Sequence, residues 1–561
     1  MQTENKSFPF SQFLDEEEVR KAIAKHTEDG IPIGVSEDLS FDALVEVMDI
    51  YCFRIDNELE EEQDANGITP YACQLLDNRG FTWSEFQDIF DLEVESYDEI
   101  PAFYVLDIQT PSEHKRFISR NTNSQHTYMY LLKKYRPGLM GYLNQHKEVR
   151  KIPPSELFMH CHIIGATGSL KSGGIIRHMW YDIQKNYPYG QIVFDWHSDL
   201  AKSLFYSHLN EQQKDRIIYI DPTLRDDYAP TINPLLCTDK SRRTVSFVTD
   251  QLIATFHEIF DAASESKMSE IMVGMLENCV YFLLSREKVS TMYDLRDLLE
   301  CSPNLMLEAQ SNPAYAKYFD KEFQKSGNTT RIGLLTRTQK MLASPLLGPL
   351  IGGHDTVNLE DALDTGKQII VRLGALPLYP REAFGKIILA QVKSLMWKRE
   401  DRPESERRKV FFYIDEFENF ITHSVEQTLD ELRKYGLHLI LSHQHFAQID
   451  NTKLASSVIT NTNVKMVGKV GDDDTTIHKV SKMFRIDEEE VRNLKGGEFY
   501  IKYGNVKPFK IKAPGDLFYD KSKTLPKDKQ LELEEFMLKR YYRKVEDHRT
   551  VSPILPPLPE P

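Results

Sequence analysis

Between residues 155 and 235 short apolar runs alternate with stretches of helical spacing. The run at 157–164 leads into a Gly-rich turn, and residues 174–186 then repeat apolar positions every three to four residues. Two further apolar runs, 191–195 and 217–221, each end in aspartate. Strands covered on both faces lack polar alternation, so the pattern predicts parallel strands joined by helices. Residues 240–350 keep helical periodicity but lose the short runs, which predicts an all-α insertion. Strand-like runs return at 367–374, 409–415, 438–444, 463–469 and 497–504. The expected fold class is therefore α/β, with a core at 155–239 and 351–520 interrupted by the insertion. Upstream, 41–55 has helical spacing and 101–110 reads as a strand. Downstream, 521–561 reads as a charged helix followed by a Pro-rich, extended tail.

Charge divides the chain in a way that hydropathy does not. The formal net charge is −16 over 561 residues. Residues 1–100 hold 26 acids against 6 bases, and the remainder holds 63 bases against 59 acids. The acidity belongs to an N-terminal accessory module, residues 1–110, expected to be mainly helical. The body carries no electrostatic bar to nucleic acid. Residues 111–154 form a basic linker in which Tyr128, Tyr130, Tyr135 and Tyr142 are interleaved with lysines and arginines. Bases suit phosphates and rings suit stacked bases, although such a stretch can equally fold onto the protein's own surface. Length predicts three or four domains at roughly 100–200 residues each. No apolar run approaches the roughly 18–20 residues of a membrane span, and the N-terminus lacks a signal-peptide pattern. The six cysteines form no CxxC pair. The expectation is a cytoplasmic protein without a span of its own.

Two clusters carry chemistry. Gly165-Ala166-Thr167-Gly168-Ser169-Leu170-Lys171-Ser172 follows an apolar strand and precedes a helix. It matches the phosphate-binding pattern GxxxxGK[ST] except at Leu170. Backbone N–H groups at a helix N-terminus point at phosphates, a lysine reaches the β/γ oxygens, and a hydroxyl binds Mg²⁺. The position of Leu170 is normally glycine, so a left-handed backbone there is expected to cost about 1–2 kcal/mol. The second cluster is the strand Val410–Ile414 ending in Asp415-Glu416. At the carboxyl edge of a sheet, Asp415 would hold Mg²⁺ and Glu416 would orient or deprotonate a water. An acidic pair in that place can also cap a helix; its pairing with the phosphate loop favours the chemistry. The next strand ends in Gln444, whose amide could sense the γ-phosphate. Arg433, between the two strands, could act across a subunit interface, with Arg331, Arg337 and Arg372 as alternatives.

In combination these stretches resemble the HerA/FtsK superfamily of P-loop motors. The resemblance is closer to the TraG/TraD-like coupling ATPases of conjugative DNA transfer and type IV secretion. It is carried by HCHIIGATGSLKSGG (160–174), QIVFDWHSDLAKSLF (191–205) with the segment 215–235, FFYIDEFENF (411–420) with LRKYGLHLILSHQHFAQID (432–450), and NLKGGEFYIKYG (493–504). The acid and small loop at Asp195 to Leu200 and the pair Asn233-Pro234 fit it as well. The resemblance implies a RecA-like P-loop NTPase core, ATP and Mg²⁺, and a homo-oligomeric, hexameric ring that pulls DNA through its channel. It also implies a partner of the membrane-secretion or relaxosome type, which would recruit the chain to the inner face of the membrane. Leu170, and the absence of the N-terminal membrane helices that many such proteins carry, are departures from the pattern. Two other readings share these residues: a nucleotide-gated scaffold that does not hydrolyse ATP, and a HerA-like motor in DNA repair or phage defence.

Overall fold

The computed structural model describes residues 14–25, 29–36, part of 43–50, 142–143 and 149–545, apart from 263–266, 326–327, 421–430, 447–448, 450–451 and 516–522. The chain divides into two compact units, residues 1–153 with 510–512, and residues 154–509 with 513–561. The strand expected at 101–110, most of the basic stretch and the Pro-rich tail lie outside the described residues.

In the smaller unit, α1 (Glu16–Lys25) opens on three glutamates and closes on Lys25, which complements its dipole. Val19, Ala22 and Ile23 form its buried side. β1 (Ile31–Ser36) pairs antiparallel with β2 (Val149–Ile152) on one edge and with residues 511–512 on the other. A module expected to be mainly helical thus also contributes a strand, and the last residues of the expected linker form another. Gly34 explains why the run at 31–36 is hard to read as a strand. A Cβ there would come within 2.5 Å of the Lys512 carbonyl oxygen, so the position must stay without a side chain.

The larger unit is built on a sheet. In chain order it holds β3 (Cys161–Ile164), α2 (Arg177–Asn186), β4 (Gly190–Asp195), α3 (Asp199–Phe205), β5 (Ile217–Ile220) and β6 (Tyr228–Ala229). The segment that follows is helical where described, with α4 (Arg242–Ala262), α5 (Glu270–Ser285), α6 (Met292–Leu299), α7 (Pro303–Ser311) and α8 (Asn328–Leu342). Local chemistry starts these helices: Ser269 caps α5 by accepting from the Met272 N–H, and Thr291 and Asp294 form a capping box on α6. Then come β7 (Gln368–Arg372), α9 (Leu378–Trp397), β8 (Val410–Ile414), β9 (Leu437–His443), β10 (Val464–Val467), β11 (Glu498–Lys502) and α10 (Lys527–Tyr541).

The strands lie in the order β11-β10-β3-β9-β8-β4-β7-β5. Every neighbouring pair from β10 to β5 is parallel, and β11 runs antiparallel to β10. All five residues of β8 and all six of β4 are buried, as both faces of a covered parallel sheet require. This is an α/β fold built on a mainly parallel sheet, as expected. The order has one consequence for function. β9 separates β3 from β8, so their carboxyl ends stand two strand spacings apart, about 10 Å. That gap is within reach of a lysine from one side meeting a glutamate from the other.

The C-terminal helix protects the open edge at β5. Tyr542, just beyond α10, receives the Asp221 N–H on its hydroxyl (3.0 Å) and donates to the Tyr219 carbonyl (2.8 Å). The Asn233 N–H donates to Asp355 (2.9 Å), and the Asn233 side-chain amide donates to the Ser290 carbonyl (2.8 Å), so this asparagine ties the sheet to the helical region.

Two stability predictions follow from these contacts. Tyr542→Phe strands a buried backbone N–H and should cost about 1–3 kcal/mol, read from the urea midpoint at unchanged slope. Burial pushes the Asp355 carboxyl up to about 7, against the lowering pull of the Asn233 N–H. Its folded pKa lies above its unfolded value of about 3.9, so its contribution is fully present in acid and lost as pH rises through about 7. Asp355→Asn should therefore match the wild type near pH 4 and exceed it in melting temperature at pH 8; a gap that does not change with pH would contradict this.

Candidate active site

The Gly-rich loop 165–172, the expected phosphate loop, starts where β3 ends. The Gly165 N–H donates to the His443 carbonyl (3.1 Å) and the Ala166 N–H to the Lys469 carbonyl (2.7 Å), so the loop is held between the carboxyl ends of β9 and β10. Gly168 has φ +81°, and a Cβ there would meet nothing within 4 Å: the loop curves around open space. Leu170 has φ 67° and ψ 25°, the left-handed conformation that its position predicted. Its carbonyl accepts from both Gly174 N–H (2.9 Å) and Ile175 N–H (3.1 Å), which opens a π-helical turn over Lys171–Ile176 before α2 begins. The Leu170 side chain packs against Gly174 and Gly497. A Cβ on either glycine would lie 3.2 Å from it.

The two sequence clusters meet in one cleft of about 510 Å³, within the usual range for small-ligand sites. It is lined by residues 166–173, Asp195, His197, Asp199, Leu200, Asp415, Glu416 and Gln444. Lys171, only 6% exposed, places Nζ 2.9 Å from Glu416 Oε1. Gln444 Nε2 donates to the same oxygen at 2.9 Å, and the Thr167 hydroxyl lies 3.4 Å from Gln444 Oε1. The Ser172 hydroxyl donates to Asp415 Oδ2 at 2.8 Å, and the Ser442 hydroxyl donates to Asp415 Oδ1. Burial resists ionisation of Glu416, but a hydrogen bond from Glu418 and the charge of Lys171 outweigh it and hold the pKa below the ordinary value. Glu416 itself has φ 52°, a second left-handed residue in the site. Asp195 accepts from the His197 and Ala201 N–H groups (2.9 and 2.7 Å), while burial pushes it up to about 6.

Beneath the cleft His162 and His443 stack with Nε2 atoms 2.8 Å apart and ring planes 2° apart. Burial holds His443 down to about 3. His443 Nδ1 faces the His445 carbonyl at 3.0 Å and so carries its hydrogen; its Nε2 then accepts from His162. This buried bond ties the phosphate-loop strand to the strand that ends in Gln444.

The structure thus brings together residues 166–172, Asp415, Glu416 and Gln444; Gly165 anchors the loop at the end of its strand. Arg433 does not join them. It lies in the turn before β9 and lines a separate cavity with His160, Asn463, Lys465 and Lys502, at the amino-terminal edge of the sheet. Arg372 is paired with Asp221 (2.8 Å), and Arg331 and Arg337 donate to the Leu299 and Gly333 carbonyls. Sequence reasoning missed Ser442 and Glu418. Period-two alternation along β9 puts Ser442 on the same face as Gln444 and could have found it. No periodicity marks Glu418, which sits in the short 3₁₀ turn Phe417–Phe420.

Residues 409–495 match the family model described as the TraM recognition site of TraD and TraG. The match covers β8, β9 and β10, and it bears out the resemblance to TraG/TraD-like coupling ATPases. An uncharacterized protein of Mycoplasma pneumoniae is 28% identical over 119 residues, 19% of this chain and 79% of that one. Similar solved structures include the conjugative coupling protein TrwB lacking its N-terminal segment (13% identity, 65% of this chain and 86% of that one, TM-score 0.45). TrwB in complex with ADP and Mg²⁺ is another (15%, 65% and 87%, 0.46). A third is VirB4 of Thermoanaerobacter pseudethanolicus (15%, 66% and 94%, 0.47). Among the described residues no helix is long and apolar enough to cross a membrane.

The left-handed Leu170 generates a direct test. Leu170→Gly relieves backbone strain, whereas Leu170→Ala keeps it and loses the same packing. The glycine variant should be the more stable by about 1 kcal/mol in chemical denaturation; the reverse order would mean that the loop does not hold this conformation in solution.

Proposed function

We propose that this chain is an ATP-driven, DNA-translocating motor, a coupling ATPase of conjugative transfer or type IV secretion. The observation that carries the reading is the convergence of Lys171 and Ser172 with Asp415, Glu416 and Gln444 in one cleft, the last three on the segment that matches the TraD and TraG family model. The loop 165–172 offers backbone N–H groups and Lys171 to the phosphates of ATP. Ser172 and Asp415 converge as the hard oxygen pair that suits Mg²⁺. The ion, when bound with the nucleotide, neutralises phosphate charge. Lys171, drawn to the phosphate oxygens, releases Glu416 Oε1 to orient and deprotonate the attacking water, with Gln444 beside it. Arg433 reaches a neighbouring subunit's nucleotide from the opposite edge of the sheet in a hexameric ring. Residues 155–239 and 351–520 act as the motor domain, 240–350 as its all-α insertion, and 521–561 as a C-terminal helix and tail. The acidic residues 1–110 and the linker 111–154 form an accessory module for a relaxosome-type or membrane-secretion partner, so that the protein works in the cytoplasm at the inner face of the membrane.

ATP hydrolysis measured with and without DNA tests this reading. Turnover should rise with DNA and fall by about 10²- to 10⁴-fold in Glu416→Gln. Lys171→Ala should abolish it. Folded protein that hydrolyses no ATP in either condition sinks the motor. If it still binds MgATP, and Leu170→Gly does not restore turnover, a nucleotide-gated scaffold replaces it.

A further inference from the structure

The two histidines beneath the cleft satisfy each other where water does not reach: His162 and His443 are both 0% exposed. Their Nε2 atoms lie 2.8 Å apart, so one nitrogen brings the hydrogen and the other the lone pair. His443 Nδ1 faces the His445 carbonyl at 3.0 Å and carries that ring's hydrogen, which makes His162 the donor. Among the described residues His162 Nδ1 has no hydrogen-bond partner, so it is toward His443 that the ring is held. Two phenylalanines close the cage. Phe417 packs edge-to-face against His443 (centroids 5.2 Å) and His162 (6.3 Å), and Phe446 does the same at 5.4 and 5.9 Å. Three of these rings are next to functional groups in the chain. Phe417 follows Glu416, His443 precedes Gln444, and His162 lies on the strand that runs into the loop at Gly165. The cage is the joint at which the three segments of the site meet.

We propose that His162 is a positioning residue for hydrolysis: by donating to His443 Nε2 it fixes the ring that sets Gln444 against Glu416 over the attacking water. The inference rests on the reading of Glu416 and Gln444 as the groups that face that water. When nucleotide draws Lys171 to the phosphates, Glu416 keeps Gln444 on Oε1 at 2.9 Å. The place of Gln444 then depends on how firmly the end of β9 is held to β3, which is what the buried bond does. A ring that tilts in the cage shifts the residue beside Gln444 and presses on Phe417, the residue beside Glu416, so both partners move off their alignment. Phosphate binding has separate supports. The Gly165 and Ala166 N–H groups donate to the main-chain carbonyls of His443 and Lys469 (3.1 and 2.7 Å), and a change of side chain at position 162 leaves those backbone bonds in place. The bond therefore bears on the rate of the chemical step more than on the affinity for nucleotide.

Three variants of the full chain test this. His162→Leu keeps much of the bulk and removes the donor. His162→Asn stays polar, but its amide ends at the place of Nδ1, short of His443. His162→Gln carries an amide N–H to the place of Nε2 and restores the bond. In the Leu and Asn variants kcat should fall on the order of 100-fold, with KM for ATP within about twofold of the wild type. His162→Gln should recover most of that loss. An unchanged kcat in Leu and Asn, an equal loss in all three, or a loss confined to KM would overturn the proposal. If neither Leu nor Asn folds while Gln does, the bond is purely structural and the positioning role falls. A crystal structure of a folded donor-lacking variant provides a readout without turnover. The contact between Gln444 Nε2 and Glu416 Oε1 should open, and an unmoved pair refutes the role. If the wild type hydrolyses no ATP, the motor reading fails while that crystal structure still decides what His162 does.

Discussion

A lysine and a glutamate, both almost wholly withdrawn from water, meet across 2.9 Å at the carboxyl edge of the sheet. They lie 245 residues apart in the chain. Much of the architecture can be understood as the means of bringing them together. Lys171 follows the strand that ends in the phosphate loop and Glu416 follows β8, and the intervening β9 sets a gap that the two side chains span. Buried charge tolerates little error, since removing one partner of such a pair leaves the other uncompensated at about 3–5 kcal/mol. The neighbours meet that demand. Gln444 shares the glutamate oxygen, Ser172 and Ser442 satisfy Asp415, and the stacked histidines below hold β3 against β9.

The same edge stores strain. Leu170 and Glu416 both hold left-handed backbone without being glycine, and Ser198, beside the cleft, does so as well. Such conformations cost of order 1–3 kcal/mol each and persist only where the surroundings over-determine them. At Leu170 the surroundings are Gly174 and Gly497, which leave room for the leucine by having no side chain of their own. The glycine that the phosphate-loop pattern lacks at one position is thus matched by glycines at two others. At Glu416 the constraint is electrostatic, with Lys171 and Gln444 both on one carboxyl oxygen.

Much of the fold was legible because it rests on local rules. The apolar runs at 368–372, 410–414 and 437–443 are strands because a sheet covered on both faces admits no polar alternation. The helical stretch beginning near 240 was legible for the complementary reason. The phosphate loop and the acidic pair were readable because each is a short contiguous segment with its chemistry in fixed order. Ser442 was readable in principle from strand alternation. β1 was not, because Pro32 and Gly34 break a run of only six residues. Glu418 was not, because nothing in its local pattern separates it from the many surface acids of this chain.

The amino-acid order by itself determined most strands and helices of the larger unit, where a Gly-rich loop leads from strand to helix, and that Leu170 would take a left-handed backbone. These depend on near neighbours along the chain, whose spacing the sequence states outright. The order of strands in the sheet, the meeting of Lys171 with Glu416, and the placing of Arg433 at the far edge were decided only in three dimensions. Each depends on which strands become neighbours. That choice is made by the burial of whole faces, and no local spacing encodes it.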